Sequence, residues 1–214
     1  MLTIALPTGR VFADAAGIIE ASGLPCSGLS SPGRKLVIED GDFRYILAKP
    51  SDVPLYVSYG TADLAFAGGD VLLESAMPVV ELFDTGKGRC RVVVAGPKSL
   101  APRFRGHASE LMWLKVATKY PRIADGHFSA RGAQVDIIHL HGSIELAPKL
   151  GLSDCILDIV QTGGTLKANS LEVLEHVCDI SLRLVASRKS TALRWDEVQS
   201  VAKKIEEATE GTRP

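Results

Sequence analysis

Asp154-Cys-Ile-Leu-Asp158-Ile-Val-Gln-Thr162-Gly-Gly-Thr165-Leu166 is the stretch that decides the fold. Cys155–Val160 is a short apolar run, too short for a stable helix and broken only by Asp158, so it reads as a buried strand. Thr-Gly-Gly-Thr then stops the strand and opens a helical segment. A strand that passes through a tight turn into a helix is the repeating unit of parallel α/β architecture.

The same grammar recurs on both sides. Leu2–Leu6 reads as a strand broken by Pro7 and Gly9, followed by a helix to about Ser22 that Gly23 ends. Lys35–Ile38 and Phe43–Lys49 read as strands around the turn at Asp40-Gly41. Ser51 is placed to cap a helix over Asp52–Tyr59, stopped by Gly60, and Asp70 to cap the helix after the strand Ala62–Ala67. Val79–Phe83, Cys90–Ala95, Leu114–Thr118 and Val135–Leu140 read as further strands. Pro121 opens a helix to Arg131 that Gly132 ends, and Ser143 is placed to cap Ile144–Leu150. Glu172–Ala186 reads as one long strand, and Asp196–Ala208 as a closing amphipathic helix. The fold class is α/β.

A chain of 214 residues suits one large domain or two small ones. With 24 basic against 25 acidic residues, a nucleic-acid partner held by phosphate attraction is not expected. The four cysteines (Cys26, Cys90, Cys155, Cys178) lie far apart with no CxxC, which argues for free thiols rather than a zinc site or disulfides. No apolar stretch approaches the roughly 20 residues of a membrane span, and the N-terminus lacks the signature of a signal peptide. No membrane partner is expected, and a cytoplasmic protein is.

Chemistry concentrates at three places. The Thr162–Thr165 turn can cradle a phosphate: Gly163 and Gly164 let the backbone approach closely, and Thr162 and Thr165 add hydroxyl donors. Asp158, at the end of the strand, can accept from vicinal ribose hydroxyls. The bland alternative is an ordinary strand-to-helix turn that needs glycine. In Gly142-Ser-Ile-Glu145, the carboxylate lies in the first helical turn, where the helix dipole alone would favour it. Pro7-Thr8-Gly9-Arg10 puts a cation at a helix start, against the dipole, which an anionic ligand would explain. Arg34, Lys35 and Lys49 stand at neighbouring strand ends, where plain solvation is the simpler account. Gly68-Gly69-Asp70 repeats the glycine-then-helix pattern. The five histidines (His107, His127, His139, His141, His176) form no HExxH or Ser/His/Asp pattern, and neither GxGxxG nor a Walker A loop occurs.

Several of these stretches, in order, resemble the ATP phosphoribosyltransferase family, which opens histidine biosynthesis. They are Leu6–Arg10, Arg34-Lys-Leu36, Pro50–Pro54 with Tyr56, Tyr59–Leu64, Gly69–Leu72, Gly88–Val94, Val116–Pro121, Gly142–Pro148 and Asp158–Lys167. The resemblance implies a two-lobed fold like the type II periplasmic binding proteins, with a central cleft and two chain crossings. Residues 1–88 with about 178–214 would form the first lobe, and 89–177 the second, which carries the phosphoribosyl pyrophosphate (PRPP) loop. It implies transfer from PRPP to ATP, giving phosphoribosyl-ATP and pyrophosphate, with Mg2+ carried on the substrate and no metal site in the protein.

By the same resemblance, Glu145, Asp154, Asp158, Thr162, Gly163, Gly164 and Thr165 would hold PRPP. Thr8, Gly9, Arg10, Arg34, Gly69 and Asp70 would hold ATP, and Arg10, Arg34 and Lys49 would stabilise charge on the leaving pyrophosphate. The chain is similar to short forms, which lack a C-terminal regulatory domain. It would act as a homodimer within a hetero-oligomer whose regulatory subunit resembles a histidyl-tRNA synthetase catalytic domain. The chain departs from the family at Gly164, where Arg is frequent, at Lys49 for Arg, at Gly33 for Ser and at His141 for Asn. Two other functions remain: a non-catalytic two-lobed solute-binding module, and a salvage enzyme acting on a free base. The latter typically carries two adjacent acidic residues before its PRPP loop, whereas Leu157 precedes Asp158 here.

Overall fold

A computed structural model describes residues 1–210. Along the chain it runs β1 (Leu2–Pro7), α1 (Phe12–Ala21), β2 (Val37–Asp40), β3 (Phe43–Ala48), α2 (Val53–Ser58), β4 (Leu64–Gly68), α3 (Gly69–Ser75) and β5 (Val79–Asp84). Then come β6 (Cys90–Gly96), α4 (Ala101–Arg105), β7 (Lys115–Thr118), α5 (Pro121–Ala130), β8 (Asp136–His139), α6 (Leu146–Lys149), β9 (Cys155–Val160), α7 (Gly164–Ala168) and β10 (Glu172–Ile180). β11 (Leu182–Ser187), α8 (Arg188–Leu193) and α9 (Trp195–Glu210) follow. The chain divides into two compact units, Met1–Arg89 with the segment from Ser181 onward, and Cys90–Ile180.

The first unit holds a six-stranded sheet in the order β2-β3-β1-β4-β11-β5. β1 pairs in parallel with β3 and β4, while β11 runs antiparallel to β4 and β5. Strand alternation sends Ile4 and Leu6 to one face, where α1 and α9 close a core with Ile19, Phe66, Leu184 and Ile205. Ala5, Ala65 and Val185 go to the other face, beneath Val53 and Val57 of α2. The small alanines let that helix approach closely.

The second unit holds five strands in the order β10-β6-β9-β7-β8. β7 pairs in parallel with β8 and β9, and β6 runs antiparallel to both β9 and β10. Cys155 and Leu157 face α4 and α5 with Phe104 and Phe128. Ile156 and Val160 face the opposite way, toward Ile144, Ala147, Leu166 and Leu171 around α6 and α7.

Some sequence expectations are corrected. The stretch Glu172–Ala186 is two strands, β10 in one sheet and β11 in the other, broken at Ser181. Ser181 leaves the ladder because its carbonyl accepts from the Gly69 N–H at 2.9 Å and its hydroxyl donates to Asp84 at 2.7 Å. Ser51 is not a helix cap: it lies inside a 3-10 turn, Pro50–Asp52, and its hydroxyl bonds Asp52. Gly68, not Asp70, occupies the N-cap of α3, and Asp70 lies in its first turn. Ser143 adopts a left-handed φ of 51°, and α6 begins only at Leu146, after Glu145 at the N-cap. α8 has no apolar period that would announce it. Ser187 caps it by accepting from the Lys189 N–H, and Asp63 accepts from Ser190 at 2.7 Å.

Candidate phosphoribosyl and nucleotide sites

In parallel sheets, ligands gather where strands end and helices begin. In the second unit, β9 places the Thr162–Thr165 turn at that edge. Gly163 occupies the N-cap of α7 at φ +78°, a backbone state that costs an L-residue about 1–2 kcal/mol and glycine almost nothing. A five-residue helix does not hold itself together. Leu166 holds it, buried at 5% exposure against Ile156 and Val160, a contribution of roughly 1.5–3 kcal/mol.

The turn closes a concavity of about 160 Å³, lined by Glu145, Asp158, Gln161 and the four turn residues. Asp158 lies on the same strand face as Ile156 and Val160, which is also the face that α6 covers, so alternation brings it and Glu145 to one site. Among the described residues neither the Thr162 nor the Thr165 hydroxyl has a hydrogen-bond partner. The first N–H groups of a helix have no intrahelical acceptor either. The site is therefore rich in donors at one end and holds two carboxylates at the other, which suits a phosphate joined to a polyol. Gln161 carries no motif in the sequence. Its place between the strand end and the first threonine was the one signal available.

Asp154 is a correction. It stands at the opposite end of β9, about 20 Å from Val160, the last strand residue before the turn, at about 3.3 Å per residue. Its carboxylate is spent on the Lys115 N–H, accepted at 2.7 Å, which fixes the register of β7 against β9.

In the first unit the ends of β1, β3 and β4 lie along one edge, with Pro7 paired to Ala48. Thr8, Gly9 and Arg34 share a concavity of about 200 Å³ with Phe12, Leu36 and Leu47. Gly9 turns the chain at φ +83°, and Gly33 does the same at +59°. Arg10 lies two residues before α1 rather than at its start, exposed, with its guanidinium donating to the Gly88 carbonyl at 3.3 Å. Lys49 follows β3 at the same edge. Among the described residues no carboxylate pairs with Arg34 or Lys49, so both cations remain open to an anion.

Gly69 and Asp70 are not in this concavity. The Gly69 N–H is committed to Ser181, and Asp70 is buried at 7% exposure, its carboxylate folded over Gly68.

Comparison with known proteins decides the family. Residues 49–207 match the model of HisG, ATP phosphoribosyltransferase. The chain is 46% identical over 213 residues to the ATP phosphoribosyltransferase of Sorangium cellulosum, covering 98% of this chain and 97% of that one. The chain belongs to the ATP phosphoribosyltransferase family. It is accordingly an enzyme of the pentosyltransferase class, with the catalytic role in histidine biosynthesis. The ATP phosphoribosyltransferase of Clostridioides difficile is 45% identical over 208 residues, 96% of this chain and 97% of that one.

Among solved structures the chain resembles one described as the ATP phosphoribosyl transferase (HisG:HisZ) complex from Thermotoga maritima. The TM-score is 0.83 and the identity 33%, covering 99% of this chain and 100% of that one. The periplasmic aliphatic sulphonate binding protein SsuA from Escherichia coli matches with TM-score 0.60 and 12% identity, over 97% of this chain and 68% of that one. That likeness establishes the two-lobed type II periplasmic-binding-protein-like fold and nothing about activity. No helix among the described residues is long and apolar enough to cross a membrane.

Proposed function

We propose that the chain transfers the phosphoribosyl group of PRPP to ATP, with the Thr162–Thr165 turn as the seat of the sugar phosphate. The observation that carries this reading is the pairing of a donor-rich glycine turn with Asp158 and Glu145 in one concavity. The 5′-phosphate accepts from the turn amides and from the Thr162 and Thr165 hydroxyls, while Asp158 and Glu145 accept from the ribose hydroxyls. In the first unit, Thr8 and Gly9 give the nucleotide a close approach, and Phe12, Leu36 and Leu47 offer apolar surface to the purine. Arg10, Arg34 and Lys49 supply positive charge for phosphate oxygens. Lys49 acts as a point charge, without the fork of an arginine.

The chemistry needs little from the protein beyond placement and charge. Adenine N1 attacks the anomeric carbon with its own lone pair, the bond to pyrophosphate breaks, and positive character develops on the ribose ring. Charge neutralisation therefore matters more than a general base. Mg2+ belongs to the substrate here. Hard cations of this kind keep several waters and take substrate phosphates with one or two carboxylates. Among the described residues no group of three or more His, Cys, Asp or Glu side chains gathers to hold a metal ion. Asp158 and Glu145 are of the required donor type.

The Thermotoga maritima relative is described as a HisG:HisZ complex. By analogy this chain works in the cytoplasm as a homodimer within a hetero-oligomer that contains a regulatory subunit similar to histidyl-tRNA synthetases. The test is to incubate the purified chain with ATP, PRPP and Mg2+, with and without such a subunit, and follow phosphoribosyl-ATP. Product in either condition is expected. No product in both, alongside turnover of a free base, overturns the reading.

A further inference from the structure

Three of the five histidines have local partners: His127 meets Glu175 at 3.3 Å, His176 meets Asp179 at 3.0 Å, and His107 caps a 3-10 turn. His139 and His141 differ. His139 ends β8 and His141 lies two residues on, just outside the strand, where the chain turns the two rings toward each other. Their rings stand 4.8 Å apart, centre to centre, with planes at 57°. Both residues are exposed, and among the described residues neither ring nitrogen set has a hydrogen bond or ion pair. β8 is the edge strand of its sheet, bonded only to β7, so its outer flank is open.

A centre-to-centre spacing of this size lets both rings reach one ion. A metal–nitrogen bond of about 2.1 Å puts each imidazole centre about 3.2 Å from the metal. Two rings at a right angle about the metal then lie about 4.5 Å apart, and at the tetrahedral angle about 5.2 Å. The observed 4.8 Å falls between them.

We infer that His139 and His141 form a two-imidazole site for one divalent transition ion of the Ni2+, Cu2+ and Zn2+ group, with water completing the coordination. Imidazole selects these borderline ions over Mg2+. No third protein ligand joins the pair among the described residues, so the site is open and exchangeable rather than structural. Ion binding there needs neither ATP nor PRPP. The pair lies on the segment that leads to Glu145, four residues beyond His141.

The test is calorimetric titration of the untagged full chain with NiCl2 in a non-coordinating buffer at about pH 7.5. Ni2+ is preferred to Cu2+ because Cu2+ oxidises thiols, and Cys26 and Cys178 are partly exposed. One equivalent of Ni2+ is expected, with affinity weakened about tenfold or more in His139→Ala and in His141→Asn. His107→Ala and His176→Ala should bind Ni2+ as the parent does. Equal affinity in the parent and the double variant His139→Ala/His141→Asn, with circular dichroism showing both folded, overturns the site. So does the absence of any saturable binding by the parent.

Discussion

Gly163 and Gly164 are adjacent and look alike in the sequence, yet they do different work. Gly163 stands at φ +78°, whereas a Cβ on Gly164 would meet nothing nearer than the Thr162 hydroxyl at 3.9 Å. Gly163→Ala should therefore cost about 1–2 kcal/mol, a fall in Tm of about 2–4 °C for each kcal/mol in a chain of this size, and should raise KM for PRPP. Gly164→Ala should change neither by much. Gly164→Arg, which puts there the side chain that the family resemblance implies, meets no neighbour at its Cβ nearer than 3.9 Å and should lower KM for PRPP while leaving that for ATP alone. Thermal melts and initial rates on the three variants check this, and equal losses in the two alanine variants would contradict it. Cysteine reactivity is a second residue-scale expectation. Burial pushes the Cys155 thiol up to about 12, with Asp154 adding to the effect, and Cys90 is buried too. A thiol reagent near neutral pH should label Cys26 and Cys178 on the native chain and reach Cys90 and Cys155 only after unfolding.

At the scale of elements, the tie between β5 and the start of β11 has a pH signature. Burial alone would raise the Asp84 pKa. The Ser181 hydroxyl, the Gly86 N–H and the guanidinia of Arg183 and Arg89 outweigh it and hold the carboxyl below its ordinary value. A carboxyl depressed in the folded state stabilises fully above its unfolded pKa of about 3.9, and that contribution is lost as pH falls through the lower folded value. The gap in Tm between the parent and Asp84→Asn should thus be constant near neutrality and shrink below about pH 4. A gap that persists to lower pH would remove Asp84 from the account. This tie was not legible in the sequence, because it joins residues 97 apart through a serine at an unmarked strand break. Strands with continuous apolar runs, β1, β6 and β9, were legible. Caps at Ser51, Asp70 and Ser143 were misplaced, because neighbouring backbone geometry, not the capping side chain, fixed where those helices begin.

For the molecule as a whole, fold and family were carried by ordered motifs spread along the chain, and the site only in part. The turn at Thr162–Thr165 announces itself locally, and Glu145 reaches the same concavity because Asp158 and α6 share a sheet face. Asp154 sits only four residues before Asp158, yet it belongs to the other end of the strand. Proximity in sequence misled there, because a strand carries its ends apart. The likeness to a sulphonate-binding protein at 12% identity concerns architecture, while 46% identity to an ATP phosphoribosyltransferase over nearly the whole chain concerns the family. The central claim is that the Thr162–Thr165 turn binds the phosphoribosyl end of PRPP. The most direct measurement is steady-state kinetics of Thr162→Ala/Thr165→Ala with each substrate varied in turn. KM for PRPP should rise far more than KM for ATP; an equal rise in both, or in neither, would contradict the claim.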